Sequence, residues 1–386
     1  MRTRLLACLA LMLAGPARAQ QTPSDVLSFL VTNQSVPTGD FQKDAEAAAA
    51  TRDTITRALL ANLATAPIAT SSSAFVYRLD PELGTMTRVS DTFGGFFVER
   101  AMTSGRGRVS LGASGTTASY DRLDGMNLSD GTLVTTANQF QGDAAPFDTE
   151  SLTLNIRTNT LTIFGSYGVT DRLEIGGAVP LVQLHLDGSR VNVYRGEPFV
   201  QATGQADASG LADVAVRAKY ALVTGRTGGF AAAAELRLPT GDAASLLGAG
   251  KAALRILAIA SAEADRVAVH GNASIVRGGV SGAFESNGSV TIAITPRVTA
   301  AGEILVRRLS DVHSIVAQPD AHPSIPGVTT LRLVPGTAAP ILTSAVTGVK
   351  WNAHARLVIS GQVQWRLGSA GLTAPFSPSV SLDYLF

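Results

Sequence analysis

The chain has 386 residues, of which 45% are hydrophobic and 16% charged, with 38 glycines, one cysteine and a formal net charge of +1. So much apolar and so little charged residue excludes a disordered chain, and the near-neutral balance excludes a sequence-general nucleic-acid binder. A single cysteine excludes a disulfide framework and a cysteine-based zinc site.

Arg2 and Arg4 precede an apolar run over 5–14 that is too short to span a bilayer, and Ala17-Arg18-Ala19 has the small-residue spacing of a cleavage site. Residues 1–19 therefore read as an export signal cut between Ala19 and Gln20. The cut removes Cys8, Arg2, Arg4 and Arg18, which turns the charge balance slightly negative. An exported chain without a further apolar helix is secreted, periplasmic or set in an outer membrane.

Residues 20–105 read as an N-terminal periplasmic or plug-like segment. Asp40 can cap a helix over about 41–66, in which Ala45, Ala48, Thr51, Ile55, Leu59 and Leu63 recur at three- and four-residue steps. Pro67 ends it. Ser71 to Ser73 reads as a hinge, and a hairpin over about 74–90 turns at 80–84. The helix is expected to plug or cap the periplasmic mouth of a barrel built from the later strands, or else to pack beside it.

From about 106 the pattern is strand after strand. Val214, Val216, Tyr220 and Leu222 alternate with Asp213, Arg217 and Lys219. Leu236 alternates with Glu235 and Arg237, Ile304 with Glu303 and Arg307, Val363 and Trp365 with Gln364 and Arg366. Period two with one apolar and one polar face means that one face meets a greasy medium. Several alternations exceed the roughly five to six residues of an ordinary strand and suit a bilayer crossed at a tilt, which needs about 9–11. Short turns at 168–171, 224–228, 262–265, 296–297 and 350–353 alternate with long connections at 121–148, 187–209, 240–249, 278–285, 310–337 and 368–375. That asymmetry is the signature of a membrane barrel with an even strand count. Leu382, Tyr384 and Phe386 close the chain on an aromatic, the form in which such barrels present their last strand to the barrel assembly machinery. The expected fold class is all-β: a transmembrane antiparallel β-barrel of about 12 strands over 106–386 with an N-terminal helix-plus-hairpin extension. The expected location is the outer membrane of a Gram-negative-type bacterium, with membrane lipid and the assembly machinery as partners and no nucleic acid.

The stretch GLADVAVRAKY over 210–220, then ELRLPTGD over 235–242 followed by Gly248 and Gly250, and TDRLEIG over 170–176 resemble the outer-membrane family associated with the meta-pathway of phenol degradation. The resemblance covers about 150–386. It implies a barrel channel that passes small hydrophobic or aromatic compounds. The extension over 20–105 departs from the family, so a phenol pathway is not carried over. Read physically, Pro239, Thr240, Gly241 and Asp242 form a strand exit, because proline ends the ladder and glycine permits positive φ.

The chemistry rests on the lumen-facing charges Asp213, Arg217, Lys219, Glu235, Arg237, Glu303, Arg307 and Arg366. Such residues either line a water-filled path and set its selectivity or form a salt-bridge network that fills the interior. Glu285-Ser286-Asn287-Gly288 resembles the Ser-Asn-Gly of the outer-membrane phospholipase, but Phe284 stands where a histidine is needed. His270 on the preceding strand is the remaining candidate base for Ser286. His313, Asp320 and His322 share a loop that reads as solvated rather than metal-binding. No cofactor or metal is expected, and no catalytic residue is assigned. The leading function is passive passage of small hydrophobic or amphiphilic molecules across the outer membrane. The alternative is a closed structural or adhesive barrel that binds partners through long extracellular loops, and a lipid hydrolase is third.

Overall fold

The computed structural model describes residues 21–32, 36–63, 77–80, 85–88, 92–225, 227–354 and 356–386. The export signal with its cut between Ala19 and Gln20, the hinge at Ser71 to Ser73 and the hairpin turn at 81–84 lie outside the described residues. Among the described residues no helix is long and apolar enough to cross a membrane.

Two helices come first, α1 (Pro23–Thr32) and α2 (Phe41–Leu63). The sequence patterning did not reveal α1. It begins with a reciprocal capping box: the Asp25 amide donates to Thr22 Oγ1 and the Thr22 amide to Asp25 Oδ2, both at 3.1 Å. Pro23 supplies a first helical residue that needs no amide partner. α2 starts at the expected cap, with the Lys43 amide donating to Asp40 Oδ1 at 3.1 Å. A small hairpin of β1 (Tyr77–Asp80) and β2 (Thr85–Arg88) comes next.

The remaining strands are β3 (Val109–Tyr120), β4 (Arg122–Leu123), β5 (Met126–Asn127), β6 (Leu133–Phe140), β7 (Asp148–Gly168), β8 (Leu173–Tyr194), β9 (Glu197–Leu211) and β10 (Ala215–Thr224). Then come β11 (Gly228–Arg237), β12 (Ala253–Ala264), β13 (Val267–Gly278), β14 (Ala283–Thr295) and β15 (Val298–Leu309). The chain finishes with β16 (Ile315–Ala321), β17 (Val328–Pro335), β18 (Ile341–His354), β19 (Leu357–Arg366), β20 (Leu372–Thr373) and β21 (Phe376–Leu385).

Among the described residues twelve of these strands close a barrel, in the order β3, β7, β8, β10, β11, β12, β13, β14, β15, β18, β19, β21, with every neighbour antiparallel. The last strand returns to the first through Ser379↔Thr116 to Leu385↔Ser110. Closure leaves no unpaired strand edge, which a wall in hydrocarbon requires. Ile163, Ile175, Val216, Tyr220, Leu236, Ile256, Ile304 and Trp365 are exposed on the outer face, and their polar sequence neighbours turn inward. Val214, just before β10, is half-buried rather than exposed.

β7 and β8 are roughly twice as long as most wall strands. Their outer halves leave the barrel at the long-connection end and carry β6, β17 and β16 on one side and β9 on the other. The segment 187–209, expected as a loop, is therefore most of a β8–β9 hairpin. It turns on Arg195 (φ 50°) and Gly196 (φ 90°), both left-handed as a two-residue type I′ turn demands. Lys350, expected in a short turn, lies inside β18 and pairs with Ser360 of β19.

The extension also decides where the helices go. Leu154, Ile156, Leu184 and Leu186 continue the inward face of β7 and β8 beyond the barrel as an apolar surface. Val26, Leu27 and Leu30 of α1 and Ile55 and Leu59 of α2 complete one buried cluster with it. α2 is held there by an Arg332 Nε–Asp44 ion pair at 2.6 Å and by Asn62 Nδ2 donating to the Leu372 carbonyl at 2.8 Å. The expected helix at the periplasmic, short-turn mouth is thus corrected: α2 sits at the opposite, long-connection end. The physical reason is the apolar face on β7 and β8, which would otherwise stand bare in water.

Ile304 sits mid-strand on the outer face of β15, so Ile304→Arg should cost folding about 2–4 kcal/mol. Ser344→Arg, at an interior position beside open space, should cost much less. Urea titrations of folding into liposomes check this, and equal penalties at the two positions would refute the facing.

Candidate functional site

A strap of non-regular chain, residues 92–108, lies inside the short-turn half of the barrel: it starts beside Thr299 and Val358, rises to Glu303 at mid-wall and returns to the short-turn end, where β3 begins. Phe93, Val98, Arg100 and Ala101 are fully buried along it. The strap joins no β-ladder, so its amides and carbonyls need side-chain partners. The wall supplies them in the right chemical sense, with oxygen acceptors for the amides and lysines for the carbonyls.

The contacts rise from Thr299 to Glu303 and then return to the short-turn end. The Phe93 amide donates to Thr299 Oγ1 at 3.1 Å. Glu303 accepts from the Phe96 and Phe97 amides, the second at 3.0 Å on Oε2. Lys350 Nζ donates to the Gly95 carbonyl at 2.6 Å and lies 4.9 Å from the Phe96 ring centroid. Any side chain on Gly95 would collide with the Glu303 carboxylate. Glu99 makes a two-fold ion pair with the Arg217 guanidinium, both groups nearly inaccessible. The Ala101 amide donates to Ser261 Oγ at 2.8 Å, and His270 Nδ1 lies 2.9 Å from the same hydroxyl. Lys219 Nζ donates to the Met102 carbonyl at 2.9 Å and faces Glu174 at 3.5 Å. Glu174 Oε2 accepts the Ser104 amide at 2.7 Å, and the Gly107 amide donates to the Gly168 carbonyl at 2.7 Å.

The eight charges singled out from the sequence fall into four groups. Arg217, Lys219 and Glu303 hold the strap. Glu235, Arg237 and Arg307 belong to a row of ion pairs near the long-connection end: Arg237–Glu235 at 2.9 Å, Arg255–Glu285 at 2.6 Å and Arg307–Glu285 at 3.3 Å. Arg307 Nη1 also donates to the Ala61 carbonyl at the end of α2, at 2.9 Å. Arg366 pairs with Asp121 at 2.6 Å near the mouth. Asp213 does different work. Its two oxygens accept the Gly241 and Ala249 amides at 3.1 and 2.8 Å, so it clasps the loop between β11 and β12.

That loop begins with Pro239, Thr240, Gly241 and Asp242. Thr240 Oγ1 donates to the Ala212 carbonyl at 2.8 Å and accepts the Val214 amide at 2.9 Å. Asp242 accepts the Ser245 hydroxyl at 2.5 Å and the Ala244 amide at 3.1 Å, and these bonds hold its carboxyl below the usual carboxylate range. At the other terminus, Tyr384 and Phe386 meet edge-on, with ring centroids 4.7 Å apart. Leu382 is exposed beside them on the outer face, and the Phe386 amide donates to the Val109 carbonyl at 2.8 Å.

Above the strap's fastenings, toward the long-connection end, lies a cavity of about 150 Å³. Thr116, Thr158, Thr160 and Thr162 of β3 and β7 line it, with Phe97, Tyr120 and Leu372 as its apolar part and Arg366 and Gln364 at its polar side.

Sequence reasoning missed Glu99, Glu174, Ser261 and Lys350, and with them the strap. The one local signal was the unpatterned run over 92–108, which is rich in glycine but lacks alternation. The hydrolase reading loses its geometry: Ser286 is exposed on the outer face, whereas His270 is buried inside. His322 Nδ1 accepts the Ser324 and Ile325 amides, both at 3.1 Å, and Asp320 pairs with Lys43 at 3.3 Å. Among the described residues no group of three or more His, Cys, Asp or Glu could hold a metal ion.

No known protein family matches the chain, and no curated protein matches it. Solved structures similar to it include the COG4313 outer membrane channel from Pseudomonas putida F1, with 13% identity, a TM-score of 0.48 and coverage of 73% of this chain and 96% of that one. The NanC porin aligns with 8% identity, a TM-score of 0.36 and coverage of 71% and 98%. The translocator domain of the autotransporter NalP from Neisseria meningitidis aligns with 8% identity, a TM-score of 0.37 and coverage of 73% and 89%.

Breaking a buried ion pair from one side strands a charge and costs about 3–5 kcal/mol. Glu99→Gln should therefore destabilise the folded barrel strongly. The double variant Glu99→Gln with Arg217→Met should recover most of the loss, because no uncompensated charge remains. Thermal loss of the compact, heat-modifiable gel species measures both, and additive losses would show that the two side chains do not act as a pair.

Proposed function

We propose that the protein is an outer-membrane channel for passive passage of small hydrophobic or amphiphilic molecules, with the cavity above the strap as the outer part of the solute's route. The observation that carries this reading is the division of the interior. The short-turn half is filled by strap and charge, and the long-connection half keeps open space lined by hydroxyls and a few apolar groups. An apolar cavity of about 150 Å³ is enough to take a benzene ring, so a small aromatic or short amphiphile fits the room available. The driving force is the solute's own gradient. In this reading the long-connection end with α1 and α2 faces outward, and Leu382, Tyr384 and Phe386 carry the signal that the assembly machinery reads.

A second reading is favoured by the strap itself. Its tight fit to the wall suits a barrel that is permanently closed and binds partners through the extension above it.

One comparison separates the two. Removal of 21–63 takes away the helices and leaves the strap, whereas removal of 21–104 takes away both. A channel should show a small rise in single-channel conductance in planar bilayers after the first deletion and a large one after the second. It should also admit a small aromatic alcohol into liposomes as the intact chain. An intact chain that admits nothing would overturn the channel and leave the closed barrel.

A further inference from the structure

We infer that the cavity above the strap takes uncharged solutes that carry a hydrogen-bonding group and turns away ions, and that the Arg366–Asp121 pair at its mouth sets this preference. The inference rests on the channel reading and narrows it to a solute class.

The walls of the cavity are rich in hydroxyls: Thr158, Thr160 and Thr162 of β7, Thr116 of β3, Ser344 of β18 and Ser377 of β21. The end of α2 and the segment around β20 roof it. Among the described residues Arg366 is the single charged side chain of the lining. Its charge is already met. Arg366 Nη1 donates to Asp121 Oδ1 at 2.6 Å and to Thr373 Oγ1 at 3.3 Å. Asp121 is itself fixed through its backbone: its amide donates to the Thr373 carbonyl at 3.1 Å, and its carbonyl accepts the Leu128 amide at 2.9 Å. The small sheet of β4, β5 and β20 thus delivers a carboxylate to the guanidinium. Glu303 is turned to the Phe96 and Phe97 amides of the strap. The row of Arg237, Glu235, Arg255, Glu285 and Arg307 pairs within itself and borders a separate cavity.

An ion that enters such a place leaves its water shell and finds no free counter-charge, which is costly. A hydroxyl or amide on an uncharged solute loses much less. Wall hydroxyls rotate to donate or to accept, so either kind of group finds a partner, and the rings of Phe97 and Tyr120 meet the solute's apolar side. An apolar cavity of about 150 Å³ takes a benzene ring, so a solute of about six heavy atoms has room. Without the Asp121 carboxylate, a half-buried guanidinium would face the cavity uncompensated, and the preference would move toward anions.

The test uses the full chain in liposomes, with lactamide as the uncharged probe and lactate as the ion of the same skeleton. Entry is followed by osmotic swelling at mildly alkaline pH, with valinomycin carrying potassium as the counter-ion of lactate. Lactamide should enter at least about tenfold faster than lactate, given what an unpaired charge costs to desolvate. Asp121→Asn should raise the ratio of lactate to lactamide entry about two- to fivefold, the scale of a partly exposed ion pair. Asp121→Asn with Arg366→Gln should return the ratio to that of the intact chain. Arg308→Gln, exposed on the outer face, should alter neither rate. If the double variant fails to fold, Asp121→Asn decides, since that side chain is 34% exposed. Equal entry of the two probes, or a ratio untouched by Asp121→Asn, overturns the inference and keeps the channel. Entry of neither probe sinks the channel reading, and ligand-observed NMR in nanodiscs then decides the cavity's preference. Saturable binding of lactamide without lactate supports the inference, and binding of both or of neither overturns it.

Discussion

A backbone amide in hydrocarbon has no water to turn to, so the wall must satisfy itself strand by strand until the last meets the first. The pairing of β21 with β3 is where that requirement is met, and much of the rest depends on it. A closed wall creates an inside, and the inside of a barrel this narrow fills with side chains or with chain. Here it fills with chain. The strap over 92–108 then faces the same constraint as the wall, without a neighbouring strand to meet it. Carboxylates at Glu303 and Glu174 and hydroxyls at Thr299 and Ser261 take its amides, while Lys350 and Lys219 take its carbonyls. The interior charges thus act first as hydrogen-bond partners for an irregular backbone.

The parts of this arrangement that obey a period were legible in the sequence. Alternation placed Arg217, Glu235 and Glu303 inside and Val216, Leu236 and Ile304 outside, and the rhythm of short and long connections gave twelve wall strands. The parts that depend on one residue choosing another were not legible. Glu99 and Arg217 are far apart in the chain, and nothing local marks them as a pair. The same holds for the helices. An even strand count fixes the end at which β3 begins, but a preceding segment is free to cross the interior and fold at the other end. What drew it there is the apolar continuation of β7 and β8. Alternation along those strands runs on past the membrane, yet period two carries no mark of where hydrocarbon stops and a water-facing core starts. α1 was missed for a related reason. Its single capping box and short apolar face form a helix only because Leu154 and Leu186 lie beneath it.

The strap also makes the interior asymmetric, and in the proposed channel that asymmetry bears on what the barrel would pass. Its fastenings lie in the short-turn half, on β7, β8, β10, β12, β15 and β18, whereas the larger cavity borders the long-connection half of β3, β7, β18, β19 and β21. A solute on the cavity side need not break the Glu99–Arg217 pair or strip Lys219 of its carbonyl. It meets threonine hydroxyls, which can exchange one hydrogen-bond partner for another at little cost, and the rings of Phe97 and Tyr120. Near the mouth it passes Arg366, which Asp121 already neutralises. The two halves of the interior therefore differ in kind: the charged short-turn half keeps the strap in place, and the hydroxyl-lined half above it, which Phe97 of the strap also borders, sets what fits there. The cavity threonines hold none of the strap's fastenings, a separation of roles that a barrel filled evenly by salt bridges would lack.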